Sequence, residues 1–403
     1  MKKIATLLLA LAMVFALAAC GAGGGNGGTD DASAAPTEEA NGGGAAVTGD
    51  VIKIGGIFNV TGDQSSIDAP AQKAFALAVD EINANGGING RKVEAVFYDG
   101  QTDTAVCASD AKKLIDNDGV IAIGGLSDSD YAYAAGAVAQ EAGIPIVFSG
   151  ATTPDIPDVV GNCAFMTAFG DDVCAHAAAE YLYNEMGART VYVLTDTSMS
   201  YTSNLSAYFV ERFKELGGEV TLEDHFSSGD YDFSAQIQRY LATGETDAMF
   251  MSTGPDDAST VIEQYRSAGA TAPMISGDGW DADLWGVAGD LANKDVYVCT
   301  HYSTGDTSET VQHFIAAYTE KYGIAPENAF AALGYDCAQI LFKAIEACGD
   351  DITAENIRTN IEAINGLVCT TGTISYTADN HVPDKTVVVT QSVDGALKFI
   401  TNI

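Results

Sequence analysis

The feature that most constrains this chain is a rhythm. Short β-rich apolar runs alternate with amphipathic helical segments, and the runs end in loops of small and hydroxylated residues. The rhythm is clearest in residues 120–154. The run 120–123 (VIAI) ends in Gly124, Gly125, Leu126, Ser127, Asp128 and Ser129, and the run 144–148 (IPIVF) ends in Ser149, Gly150, Ala151, Thr152 and Thr153. An Ala-rich segment, 133–141, joins them with helical character. A strand–helix–strand unit of this kind makes parallel strands. Both loops then leave the same carboxyl edge of one sheet, where open α/β folds bind ligands. Hydroxyls and free backbone N–H groups there suit a small carboxylate. The plainer role of Ser, Thr and Gly is to make turns.

The same rhythm runs through the rest of the chain. Strands are expected at 51–57, 93–98 and 120–123, around helices at 70–85 and 104–116. Phe75, Ala78, Val79 and Ile82 give the first helix one buried face, at i, i+3, i+4 and i+7. A second series follows the run 165–169, with helix 173–186, strand 191–195 and a helix marked by Leu205, Tyr208, Phe209, Phe213 and Leu216. Helix 233–241, strand 248–252, helix 258–268 and strands 274–276 and 296–300 complete it. Long helices at 309–322 and 329–347 precede β-rich segments at 373–376 and 385–392, and 365–376 reads as a crossover. Two α/β series, each a doubly wound sheet, predict two lobes with a cleft between them.

Composition agrees with that size. The chain has 403 residues, 47% of them hydrophobic, enough for two cores. Its formal net charge is −36, from 19 basic and 55 acidic residues, which excludes nucleic acid and acidic membrane surfaces as partners. The amino terminus reads as a targeting device. Met1, Lys2 and Lys3 precede an apolar run, 4–16, of signal-peptide length. It ends in Leu17-Ala18-Ala19-Cys20, which looks like a bacterial lipobox whose Cys20 thiol accepts a lipid. Residues 21–50 carry almost no large apolar side chain and are expected to form a tether. No later stretch reaches the roughly 18 apolar residues that a membrane span needs. A body held outside the cytoplasm by an N-terminal lipid is therefore expected.

Catalytic patterns are missing. The sequence has no P-loop, no H-E-x-x-H and no G-x-S-x-G, and its five histidines form no i, i+4 pair. Asp278, Asp281 and Asp283 lack the closing glutamate of a calcium loop, so no metal is expected. With Cys20 assigned to lipid, Cys107, Cys163, Cys174, Cys299, Cys337, Cys348 and Cys369 remain, an odd number with no CxxC pair. Cys107 shares an apolar helical face with Ala111, Leu114 and Ile115, which favours a buried structural role.

From residue 51 onward the chain resembles the leucine/isoleucine/valine-binding proteins, the type I periplasmic solute receptors of ABC importers. The resemblance is carried by IGGIFNVTGD, AVDEINANGGINGRKVE, GIPIVFSGATTP, VYVLTD with Tyr201 just beyond, DYDFSAQI and SGDGW, in that order. It implies two Rossmann-like lobes, 51–168 plus 303–372 and 170–302 plus 378–403, joined by three crossings that close on a ligand. In the family, a serine loop and a Gly/Ala-Thr loop of the first lobe hold the ligand carboxylate. These fall on Ser127, Asp128 and Ser129, and on Gly150, Ala151 and Thr152. Asp128 stands where the family has serine, and an acid there would repel a carboxylate. The ligand ammonium falls to Asp278, covered by Tyr201. The first lobe's aromatic wall falls on Ile67, a second tyrosine falls near Gly254-Pro255, and Trp280 is placed to fill part of the space left.

The resemblance thus implies a monomeric receptor without cofactor or covalent chemistry. It would capture a branched-chain or related amino acid, or a similar zwitterion, for ABC permease subunits. Another small solute (an amide, an aromatic acid or a peptide-like compound) is the alternative within the class. A sensing module acting through a partner, or an extracytoplasmic hydrolase, are the alternatives outside it.

Overall fold

The computed structural model describes residues 51–229 and 231–403. The leader, Cys20 and the tether lie outside the described residues, as does Asp230 of the DYDFSAQI motif. The first sheet has strands β1 (Val51–Phe58), β2 (Lys92–Asp99), β3 (Ile123–Gly125), β4 (Ile146–Phe148) and β5 (Ala164–Met166). Their order is β2-β1-β3-β4-β5, and every pairing is parallel. The second sheet uses β6 (Thr190–Asp196), β7 (Glu219–Phe226), β8 (Ala248–Ser252), β9 (Met274–Ser276) and β10 (Val296–Thr300). A small hairpin, β11 (Leu367–Cys369) with β12 (Gly372–Ile374), precedes β13 (Val388–Val393) and β14 (Ala396–Asn402). The second sheet runs β14-β13-β10-β9-β8-β6-β7, and its antiparallel pairings are β10 with β13 and β13 with β14. The fold is a mixed α/β architecture of two lobes, each built on a largely parallel sheet.

Helices cover both faces of each sheet, so each strand buries both sets of alternating side chains. Along β1, Ile52, Ile54 and Phe58 join one core cluster while Ile57 joins the other. Val191 and Val193 of β6 likewise face one cluster, with Tyr192 and Leu194 facing another. The helix Ala329–Ala347 packs on the helix Ser65–Ala84 of the first lobe, although some 250 residues separate them. Their contact is close enough to require glycine, since a Cβ on Gly334 would lie 2.2 Å from the Ala71 carbonyl oxygen. The chain passes between the two sheets three times, after β5, after β10 and after β12.

The physical reasons for differences from the expected elements are local. Strand β3 begins three residues late, so Gly124 and Gly125 belong to the strand and the loop starts at Leu126. β7 was not expected, because as an edge strand it mixes acidic and apolar residues (EVTLEDHF) without a clean period. The helix Ala354–Glu362 was also missed, although Thr353 caps it by accepting from the Asn356 N–H at 3.1 Å. The crossover segment 365–376 contains the β11–β12 hairpin. Among the described residues all seven cysteines are free thiols, six of them buried. No helix of the described residues is long and apolar enough to cross a membrane.

Candidate functional site

Both parallel sheets reverse their winding at one strand. In the first, the chain goes from β1 outward to β2 and then returns to the other side of β1 with β3; in the second, β6, β7 and β8 repeat the move. At such a switch point the loops diverge and leave a crevice at the carboxyl ends of the strands. The loops after β1, β3 and β4 meet those after β6, β8 and β9 around a narrow, nearly closed cleft with about 10 Å³ of free space.

The first wall is built from the loops after β3 and β4. Gly125 of β3 pairs in register with Phe148 of β4, so the two loops leave side by side. Leu126, at φ 61, turns the first loop sharply, a conformation uncommon for a non-glycine residue. Gly150 lets the second loop approach, because a Cβ there would meet the Phe330 ring at 2.7 Å and Ser127 Cβ at 2.9 Å. The Ser127 and Ser149 hydroxyls pair at 3.1 Å, and Ser129 Oγ accepts from the Thr153 N–H at 3.2 Å. Asp128 caps the helix Ser129–Ala142, its Oδ1 accepting from the Asp130 N–H at 3.0 Å. Burial, then the neighbouring Asp130 charge, raises the Asp128 carboxyl to about 7. Behind Ser127, buried Asp68 accepts from the Asn59 N–H at 2.7 Å and is raised to about 6, chiefly by desolvation.

The opposite wall centres on Asp278, which begins a short turn after β9 and is 2% exposed. Tyr201, in the first turn of the helix Ser200–Glu215, donates its hydroxyl to Asp278 Oδ1 at 2.9 Å and accepts from the Gly279 N–H at 3.0 Å. His301 holds Oδ2 through Nε2 at 2.9 Å. Its ring stacks on Phe169 with centroids 3.9 Å apart. Burial outweighs the Asp278 partner and pushes the His301 ring below its usual range, so the ring is neutral. A neutral ring can serve this carboxylate only with its proton on Nε2. His301 Nδ1 is buried without a partner. The carboxylate is thus fixed from two sides and keeps its position as the site fills.

Eight of the ten residues anticipated for the site border the cleft: Ile67, Ser127, Asp128, Ser129, Gly150, Thr152, Tyr201 and Asp278. Ala151 lies instead within the first lobe's core. Trp280 does not fill the cleft; it is fully buried in the second lobe, where its Nε1–H donates to Thr253 Oγ1 at 2.8 Å. Gln64, Met199, Pro255, Gly279 and Phe330 complete the lining. Phe330 and His301 gave no signal in the sequence, because each reaches the site only through a crossing between the lobes. Among the described residues no Lys or Arg borders the cleft. A ligand carboxylate about 4 Å from an ionised Asp128 would meet roughly 4 kcal/mol of repulsion at an effective dielectric of about 20.

The lobes touch beside the cleft. Asp130 of the first lobe receives the Ser200 hydroxyl at 2.5 Å and the Ser200 N–H at 3.3 Å, capping the helix that carries Tyr201. Asp281 bridges Thr300 Oγ1 at 2.6 Å and the Ala329 N–H at 3.3 Å. Among the described residues no group of three or more His, Cys, Asp and Glu is placed to hold a metal ion. A larger groove, about 840 Å³, lies at the crossings and is lined by residues including Thr371 and Lys385. It reaches the cleft's chemistry only through His301.

The family model described as periplasmic binding protein matches residues 51–396. The chain belongs to the type I periplasmic binding proteins. That is the family to which the leucine/isoleucine/valine-binding resemblance pointed, and it consists of extracytoplasmic solute receptors rather than enzymes. The chain is 26% identical over 326 residues to the Leu/Ile/Val-binding protein BraC3 of Rhizobium johnstonii, covering 81% of this chain and 87% of that protein. A leucine binding protein, LivK, from Thermotoga maritima superposes with a TM-score of 0.81 at 30% identity, over 87% of this chain and 98% of that one. A solute binding protein of an ABC transporter from Rhodopseudomonas palustris BisB5, in complex with 3,4-dihydroxy benzoic acid, gives 0.78 at 25% identity, over 88% and 98%.

Proposed function

We propose that this protein is the solute receptor of an ABC importer and captures a branched-chain or related amino acid by its ammonium in the inter-lobe cleft. The observation that carries the reading is Asp278, a buried carboxylate oriented by Tyr201 and His301 and facing the hydroxyl-rich loops of the other lobe. Charge-assisted hydrogen bonds in a closed, poorly hydrated cleft supply the affinity, and closure reports occupancy to the permease. The names of the relatives that bind leucine, isoleucine and valine support the class of ligand. An aromatic acid is the weaker reading, because it brings no ammonium to Asp278.

Closure is measurable. The radius of gyration by small-angle scattering should fall when an amine ligand saturates the soluble body, and the melting temperature should rise by mass action. Asp130→Ala removes the cap on Ser200 that holds the lobes together and should weaken binding by about 1 kcal/mol, roughly fivefold. An unchanged radius with bound ligand would mean that the two lobes do not close around the solute.

The remaining proposals concern the anchor. We infer that Cys20 carries a lipid that holds the protein, as a monomer, on the outer face of the cell membrane. Cys20→Ala should abolish incorporation of a labelled fatty acid, and persistent labelling would sink that reading.

A further inference from the structure

We propose that the ligand of this cleft carries no free carboxylate and offers an N–H donor to each wall, as the amide of a small amino acid does. This rests on the reading of the cleft as a receptor for an amine held by Asp278, and it adds what the other end of the molecule must be. The first lobe's wall already contains its own carboxyl group. Asp128 is 5% exposed and borders the cleft. One of its oxygens caps the helix Ser129–Ala142, and the other has no partner among the described residues. The positive end of that helix, where a ligand carboxylate would gain most, is therefore occupied by the chain itself.

The neighbours reinforce the sign. Asp68 stands behind Ser127, Asp130 follows in the same helix, and Asp278 faces Asp128 from the other lobe. Among the described residues no cationic side chain borders the cleft to offset them. A zwitterion would bring its carboxylate against Asp128. An amino-acid amide instead places its ammonium at Asp278 and its amide N–H₂ at Asp128. Its carbonyl oxygen is left to accept from the hydroxyls of Ser127 or Thr152. Such a ligand carries net positive charge and satisfies each polar group that it desolvates.

Calorimetry at pH 7 with alaninamide, valinamide and leucinamide against their parent amino acids tests this on ligand-free protein. The best amide should bind at least tenfold more tightly than its parent acid. Asp128→Ser keeps a good helix cap and should shift that ratio at least tenfold toward the acid. Repeating the titration in buffers of different ionisation enthalpy gives a second reading. N–H donors favour ionised Asp128, so amide binding should release protons. Parent acids binding more tightly than the amides, an unchanged ratio in Asp128→Ser, net proton uptake on amide binding or no binding of any amide would each overturn the inference. Asp278→Ala separates the two proposals. If the acids win and still depend on Asp278, only the amide inference falls; if neither ligand depends on Asp278, the amine receptor reading falls with it.

Discussion

Asp278→Ala should lower the affinity for an amine ligand by roughly 30- to 5,000-fold, or about 2–5 kcal/mol. The size follows from burial: with the carboxylate gone, the closed cleft holds an ammonium that has lost both water and its counter-charge. The same change leaves the Tyr201 hydroxyl and the His301 N–H without the acceptor they share, so part of the loss comes from a wall that no longer keeps its shape. Thr152→Ala removes one hydroxyl from the opposite wall and should cost less, about 1.5 kcal/mol. A des-amino analogue separates contact from shape. It should bind the native protein poorly and be penalised much less by Asp278→Ala, since it has no ammonium to satisfy. Additive penalties across that double cycle would mean that Asp278 does not touch the amino group.

Much of this arrangement was legible in the sequence because parallel α/β folds announce themselves through buried runs and helical periods. β8, β9 and β10 occupy the residues that their apolar runs predict, as do the helices Glu309–Tyr322 and Ala329–Ala347. Polar edges were the blind spot. β7 and β14 bury little, so the period of two that betrays an inner strand is lost under charge. In the site, residues that follow a strand in the first few positions were within reach, since strand ends fix where loops converge. Trp280 was misplaced for a related reason: next to Asp278 in sequence, it lies on the other side of a tight turn and enters the core. His301 and Phe330 are brought in by crossings, and no local pattern encodes where a crossing will pass.

Acidifying the ligand-free protein from pH 8 to pH 6 should make it more stable, the opposite of ordinary acid denaturation. Asp68, Asp128 and Asp281 are buried away from any ion pair, and burial raises their carboxyls from 3.8 to about 6, about 7 and about 6. Unfolded, each loses its proton near pH 4; folded, each keeps it to pH 6 or 7. Between those limits the folded state binds more protons than the unfolded state, so stability falls as pH rises and levels off above about 7. A shift of two units in one group corresponds to about 3 kcal/mol. Opposing groups offset part of this: burial lowers Lys385 to about 8, so charging it as pH falls through 8 costs the folded state. His301 and His381 are pushed down by burial and charge more readily when unfolded, which costs stability as pH falls from about 7 toward 6. Asp232, Asp247 and Glu355 are lowered by their hydrogen bonds and oppose acid only near their usual range. A gain in melting temperature of about 2–4 °C between pH 8 and pH 6 is therefore expected by calorimetry. Asp128→Asn preserves the helix cap, removes the charge and should raise the melting temperature at pH 8 while flattening the curve toward pH 6. A melting temperature that falls steadily from pH 8 to pH 6 would show that these carboxylates are solvated or paired in solution, and that the cleft is not the dry, acidic cavity described.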